Sequence, residues 1–96
     1  MPISQARVAT ERAERYLKQL CTHFSHKVPV ELTDRRGEVD FPFGRAVLEA
    51  TDEALLLQVS GSDTAELERA EQVVKNHLER FATKDGLTVT WSRTTA

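Results

Sequence analysis

The sequence predicts an α+β fold, on three observations. Two stretches repeat apolar residues at helical spacing. The segments between and after them alternate apolar with polar residues, the signature of half-buried strands. The breaks between alternating runs are short, and short breaks join antiparallel neighbours. The expected architecture is a two-layer sandwich, an antiparallel four- to five-stranded sheet with two helices on one face, in the order (β)αβββαβ. With 96 residues the chain makes a single α+β domain, 1–96, with an ordered core expected over roughly 6–93 once frayed termini are discounted.

The elements follow in order. Ser4 to Thr10 alternates weakly, with Ala6 and Val8 on one side, and reads as a short edge strand or a lead-in. Thr10 is placed to cap a helix whose first turn holds Glu11 and Glu14, where acids suit the helix dipole. From Glu11 to about Ser25, Ala13, Tyr16, Leu17, Leu20, Cys21 and Phe24 form one apolar face. Val28, Val30 and Leu32 then alternate around Pro29, which marks an edge strand or a strand start. Asp34-Arg35-Arg36-Gly37 reads as a turn. Val39, Phe41 and Phe43 share one parity, and Ala46, Leu48 and Ala50 share the other. A period of two cannot change face without an interruption, so a bulge or sharp bend is expected at Pro42-Phe43-Gly44. Thr51-Asp52-Glu53 turns the chain into a strand carrying Leu55, Leu57 and Val59, ended by Gly61.

Asp63 with Glu66 opens a second helix in the manner of a capping box. Its stripe is Leu67, Ala70, Val74, His77/Leu78 and Phe81, ending at Phe81 or Ala82. After a turn at Asp85-Gly86, Leu87, Val89 and Trp91 alternate as a closing strand, and Ser92 to Ala96 reads as a frayed tail. The sheet face away from the helices would carry Glu31, Asp40, Leu56, Gln58, Thr88 and Thr90.

Composition excludes several classes. Hydrophobic residues at 40%, with a net charge of only −2, rule out a disordered chain. No apolar run approaches the roughly 18 residues of a membrane span; the longest is Ala54-Leu55-Leu56-Leu57. Met1-Pro2-Ile3-Ser4-Gln5 has no apolar signal region. The single cysteine, Cys21, cannot form an intrachain disulfide, and a cytoplasmic setting is expected. Residues 1–30 hold five basic and two acidic groups, and the remainder eight and thirteen. This is far from the basic footprint of a nucleic-acid binder. The αβββα order is shared with double-stranded RNA-binding domains, but helix two opens with Asp63, Glu66 and Glu68, which repel phosphate. No GxGxxG, P-loop, CxxC or GxSxG is present, and no nucleophile–base pair stands out, which argues against an enzyme. The sequence leaves the cofactor unknown.

Three features carry candidate chemistry. Cys21, His23 and His26 lie within six positions at a helix end, and thiolate and imidazole are preferred ligands of zinc, copper and ferrous iron. His23 and His26 share a face if the last turn persists, and they form the candidate metal pair, whereas Cys21 points elsewhere. The alternative is a core cysteine with surface histidines. His77 falls on the apolar stripe of the second helix, either as a satisfied boundary residue or lining a cleft with His23 or Tyr16. Phe41-Pro42-Phe43-Gly44-Arg45 reads either as core or as a stacking ledge with a cationic tip for a flat or anionic ligand. The candidate ligand-binding set is thus His23, His26, His77, Arg45, Phe41, Phe43 and Tyr16. Small domains also supplement a thin core by oligomerising, and Leu56 on the polar sheet face makes a homodimeric interaction module the second expectation.

Certain strings together resemble one bacterial family. They are Arg15-Tyr16-Leu17-Lys18-Gln19-Leu20-Cys21 with His23-Phe24-Ser25-His26-Lys27, Asp40-Phe41-Pro42-Phe43-Gly44-Arg45, His77-Leu78-Glu79-Arg80-Phe81-Ala82 and Leu87-Thr88-Val89-Thr90-Trp91. The chain resembles the domain of unknown function 2218 family from about Ala6 to Arg93. That resemblance implies a small α+β domain without an assigned activity. It is similar to domains found beside or fused to siderophore-interacting ferric reductases and siderophore transport genes. The implied role is an accessory one in bacterial iron acquisition, with such a reductase as partner. It carries no catalytic residue across.

Overall fold

The computed structural model describes residues 2–94. Strand β1 (Ile3–Ala9) leads into helix α1 (Ala13–Phe24). Four strands follow: β2 (Val30–Thr33), β3 (Arg36–Phe41), β4 (Gly44–Ala50) and β5 (Ala54–Gly61). Helix α2 (Thr64–Phe81), one 3-10 turn (Thr83–Asp85) and β6 (Ser92–Thr94) complete the chain. The six strands form one antiparallel sheet in the order β2-β3-β4-β5-β1-β6. Both helices cover one face, as expected. The core lies between, from Ala6, Val8, Val39, Ala46, Leu48, Leu55, Leu57 and Val59 of the sheet to Leu17, Leu20, Leu67, Val74 and Leu78 of the helices. No helix among the described residues is long and apolar enough to cross a membrane.

The sheet has six strands rather than four or five because the expected bulge is a complete hairpin. The parity change at Pro42-Phe43-Gly44 is a two-residue connection, with Phe41 opposite Gly44, so β3 and β4 are separate strands. Asp34-Arg35 alone connects β2 to β3, since Thr33 already pairs with Arg36. Gly37, read as part of a turn, is a buried strand residue: a Cβ there would overlap Cys21 Sγ and crowd Leu17 Cδ1 at 3.2 Å. Its role is to let α1 lie close on the sheet. β2 begins directly after Pro29 and is an edge strand.

Two expectations at the termini of the fold are corrected. β1 is an interior strand, paired from Ile3↔Ser60 to Ala9↔Ala54 on one side and with β6 on the other. The closing strand is Ser92–Thr94, not Leu87 to Trp91. In the latter segment the Val89 N–H donates to Glu79 Oε2 at 3.0 Å instead of to a neighbouring strand, while Val89 stays buried in the core. Arg93 donates two hydrogen bonds, at 3.1 and 2.8 Å, to the buried carboxylate of Glu71 on α2, which anchors β6. Thr88 and Thr90 therefore leave the open sheet face. Thr95 and Ala96, the rest of the expected tail, lie outside the described residues.

Only the second helix start has the expected cap. Asp63 accepts from the Glu66 N–H at 2.8 Å at the start of α2. α1 begins at Ala13 with Arg12 at its N-cap and no side-chain cap, and the Thr10 hydroxyl accepts from the Arg12 N–H at 3.1 Å in the turn ahead of it, so the expected cap at Thr10 is corrected. Gly86, at φ 64°, supplies the left-handed turn after α2.

Candidate functional site

α1 meets the C-terminal half of α2 and the residues beyond it at two places, one near each end of α1. At the N-terminal end, Tyr16 is 6% exposed. Its hydroxyl donates a short hydrogen bond to Asp85 Oδ2, while Arg12 Nη1 lies 2.6 Å from Asp85 Oδ1. The Tyr16 hydroxyl, then the Arg12 guanidinium, hold the Asp85 carboxyl below its ordinary value of 3.8. The same bond to Asp85, aided by burial, raises the Tyr16 phenol. This arrangement closes the loop after α2 onto α1, and Tyr16 stands apart from the histidines.

At the C-terminal end the chemistry is different. α1 stops at Phe24, and His26 lies in the turn that follows the helix. His26 is exposed, with its backbone N–H on the His23 carbonyl at 3.4 Å. His23 instead meets His77 across the interhelical contact, with ring centroids 4.8 Å apart. Phe81 closes on both, 5.5 Å from His23 and 6.4 Å from His77. The rings continue inward. Phe24 lies 5.0 Å from His77 and meets Phe41 edge-on at 5.2 Å. Phe41 stacks on Phe43 at 5.0 Å with an 8° interplanar angle. The cation above Phe43 is Arg69 of α2, 5.0 Å from the ring centroid.

Arg45, expected at the tip of that ledge, lies on the opposite side of the sheet. Its neighbour Ala46 faces the core, so strand alternation turns Arg45 outward, where it pairs with Glu38 and lies 3.5 Å from Asp40. The ledge therefore exists without Arg45. Its cation was legible only as a spacing: Arg69, Val73, His77 and Phe81 recur every fourth residue of α2.

The protonation of the two histidines can be read from their partners. His77 Nδ1 lies 2.7 Å from the Val73 carbonyl oxygen, which only accepts. Nδ1 thus carries a proton, and in the neutral ring Nε2 keeps its lone pair. His23 is lowered from its ordinary 6.5, first by burial, then by the charges of His77, His26, Lys27 and Arg80. Cys21 belongs to the core: burial pushes its thiol up to about 11, and its sulfur sits over Gly37. Among the described residues no three of His, Cys, Asp or Glu come together as a metal-ligand set.

Residues 5–92 match a family described as an uncharacterized protein conserved in bacteria, DUF2218. The chain belongs to the DUF2218 family. It is also similar in structure to PA4090 from Pseudomonas aeruginosa, solved by NMR, at 37% sequence identity over 96% of both chains with a TM-score of 0.81. No curated protein matches the chain. The DUF2218 match spans both ends of α1 together with the residues that face them from α2 and from the turn after it, Asp85 included.

The open sheet face is paved with charged and amide side chains, among them the Gln5–Gln58 hydrogen bond at 3.1 Å and the Arg36–Glu49 pair at 3.5 Å. A shallow depression of about 430 Å³ lies there, with half-exposed Leu56 and Val47 among Gln5, Arg7, Glu49 and Gln58.

Proposed function

We propose that this DUF2218 domain is a binding and accessory module in bacterial siderophore-iron handling, with its ligand site at the His23–His77 patch and a siderophore-interacting reductase as its partner. The observation that carries the site is the meeting of two imidazoles, 54 positions apart in the chain, at 4.8 Å beside partly exposed aromatic rings. The iron setting is drawn from the family resemblance. The fixed Nδ1–H of His77 leaves Nε2 open to a ligand. Two imidazoles do not complete a tetrahedral or octahedral shell, so iron would arrive with its own chelator and the protein would contact the complex.

Histidine-resolved NMR during titration with ferrous iron, zinc and a panel of ferric siderophores tests this. A ferric siderophore is expected to move the His23 and His77 ring signals together. Independent histidines that respond to none of these additions overturn the reading. A second reading, a homodimer through the open sheet face, is favoured by the Leu56–Val47 depression. Sedimentation as a monomer at micromolar concentration removes it.

A further inference from the structure

Two permanent cations, Lys27 and Arg80, and two further imidazoles gather around His23 at the C-terminal end of α1. His26 and Lys27 follow His23 along the chain, and His77 and Arg80 face it from α2; all four disfavour a proton on His23. Arg69 adds a further cation over the Phe43 ring. From the β3–β4 connection the patch receives Phe41 and Phe43, which bear no charge. Lys27, Arg69 and Arg80 form no ion pair among the described residues. Arg7, Arg15, Lys75 and Lys84 also form none there, while Arg12, Lys18, Arg35, Arg36, Arg45 and Arg93 each have a carboxylate partner. Like charges held together gain from a counterion. Aromatic rings beside them offer a flat apolar contact.

We infer that the His23–His77 patch takes a small aryl carboxylate, its ring against the aromatic side chains and its charge against the surrounding cations. This rests on the patch being the ligand site proposed above and adds the chemical class that the site accepts. A bare divalent cation is disfavoured by the same charges. A bound carboxylate would favour the protonated imidazole of His23, so binding tightens as pH falls through the histidine range. Arg69 stands eight residues before His77, about 12 Å along the helix axis at 1.5 Å per residue. It would meet only a ligand long enough to cover Phe43.

Benzoate, benzyl alcohol and inorganic phosphate, each titrated against the purified chain with histidine and phenylalanine side-chain NMR, separate the contributions. Benzoate is expected to shift His23, His77 and Phe81 together and saturably, with benzyl alcohol and phosphate weaker by about tenfold or more. The double variant Lys27→Gln/Arg80→Gln should weaken benzoate about tenfold, while Arg7→Gln on the open sheet face should leave it unchanged. Both variants are at exposed positions, and backbone spectra verify the fold. Equal affinity for benzoate and benzyl alcohol overturns the inference, and so does equal affinity for benzoate and phosphate. No response to benzoate, with a ferric siderophore still shifting both histidines, rejects this ligand class while the proposed function stands. Benzoate binding without any siderophore response upholds the class and removes the iron setting.

Discussion

The two ends of α1 solve the same packing problem with opposite chemistry. Near its start, Tyr16 and Arg12 converge on one carboxylate, Asp85, and Arg12 and Asp85 pair with opposite sign. At its finish, His23 and His77 share the space with Lys27 and Arg80, charges of like sign, among rings that remain partly exposed. The first arrangement is complete within the chain. The second leaves electrostatic repulsion and aromatic surface unanswered, and so it is the end where a ligand has something to supply. Stability should therefore concentrate at the paired end, and ligand response at the histidine end.

The largest expected effect is one that breaks both ends at once. Gly37→Ala pushes a methyl into Cys21 and Leu17 beneath the middle of α1. Overpacking of this kind costs about 3 kcal/mol, readable as a lowered urea midpoint. Next, Arg93→Ala extends the contrast to another opposite-charge pair: it leaves the buried Glu71 carboxylate without its cation and should lower the urea midpoint by less than Gly37→Ala does. Tyr16→Phe removes one hydrogen bond from Asp85 and should cost about 1 kcal/mol in the same assay, without disturbing the histidine signals.

The smallest effect separates the two ends by pH. Asp85 and Glu71 have carboxyls held low, by Tyr16 and by Arg93 respectively, so folding favours their ionised forms. That stability is present above the ordinary values of 3.8 and 4.5 and is lost as pH falls through the lowered ones. His23 is also held low, but it is a base, so folding favours its neutral form. Stability from this source is present above 6.5 and declines as pH falls below that value toward the lowered one. Urea midpoints measured across acid pH should show both windows. His23→Gln should flatten the upper one and leave the lower one in place.

Much of the fold was legible because burial imposes period on the sequence. The stripe of α1 is unbroken and Leu55, Leu57 and Val59 of β5 keep one parity despite Leu56 between them, and both elements form within two residues of where the pattern puts them. Gly37 misled because a glycine that permits close approach looks the same in sequence as one that permits a turn. Arg93 misled because a three-residue strand has too little alternation to detect. The available signal was Glu71, a carboxylate on the buried side of α2 that required a cation from somewhere. At the candidate site, His77 and the Phe41/Phe43 ledge stood out by residue type. Which residues met was decided by tertiary packing: α1 ends before His26, and sheet parity removes Arg45. The replacement pairings, His23 with His77 and Arg69 with Phe43, join residues 54 and 26 positions apart, beyond any local pattern.

One measurement tests the contrast most directly: side-chain NMR of His23, His77, Tyr16 and Trp91 recorded together during a ferric siderophore titration. The account predicts coincident, saturable shifts of His23 and His77 with Tyr16 and Trp91 unmoved. Shifts centred on Tyr16, or no shift at either histidine, would contradict it.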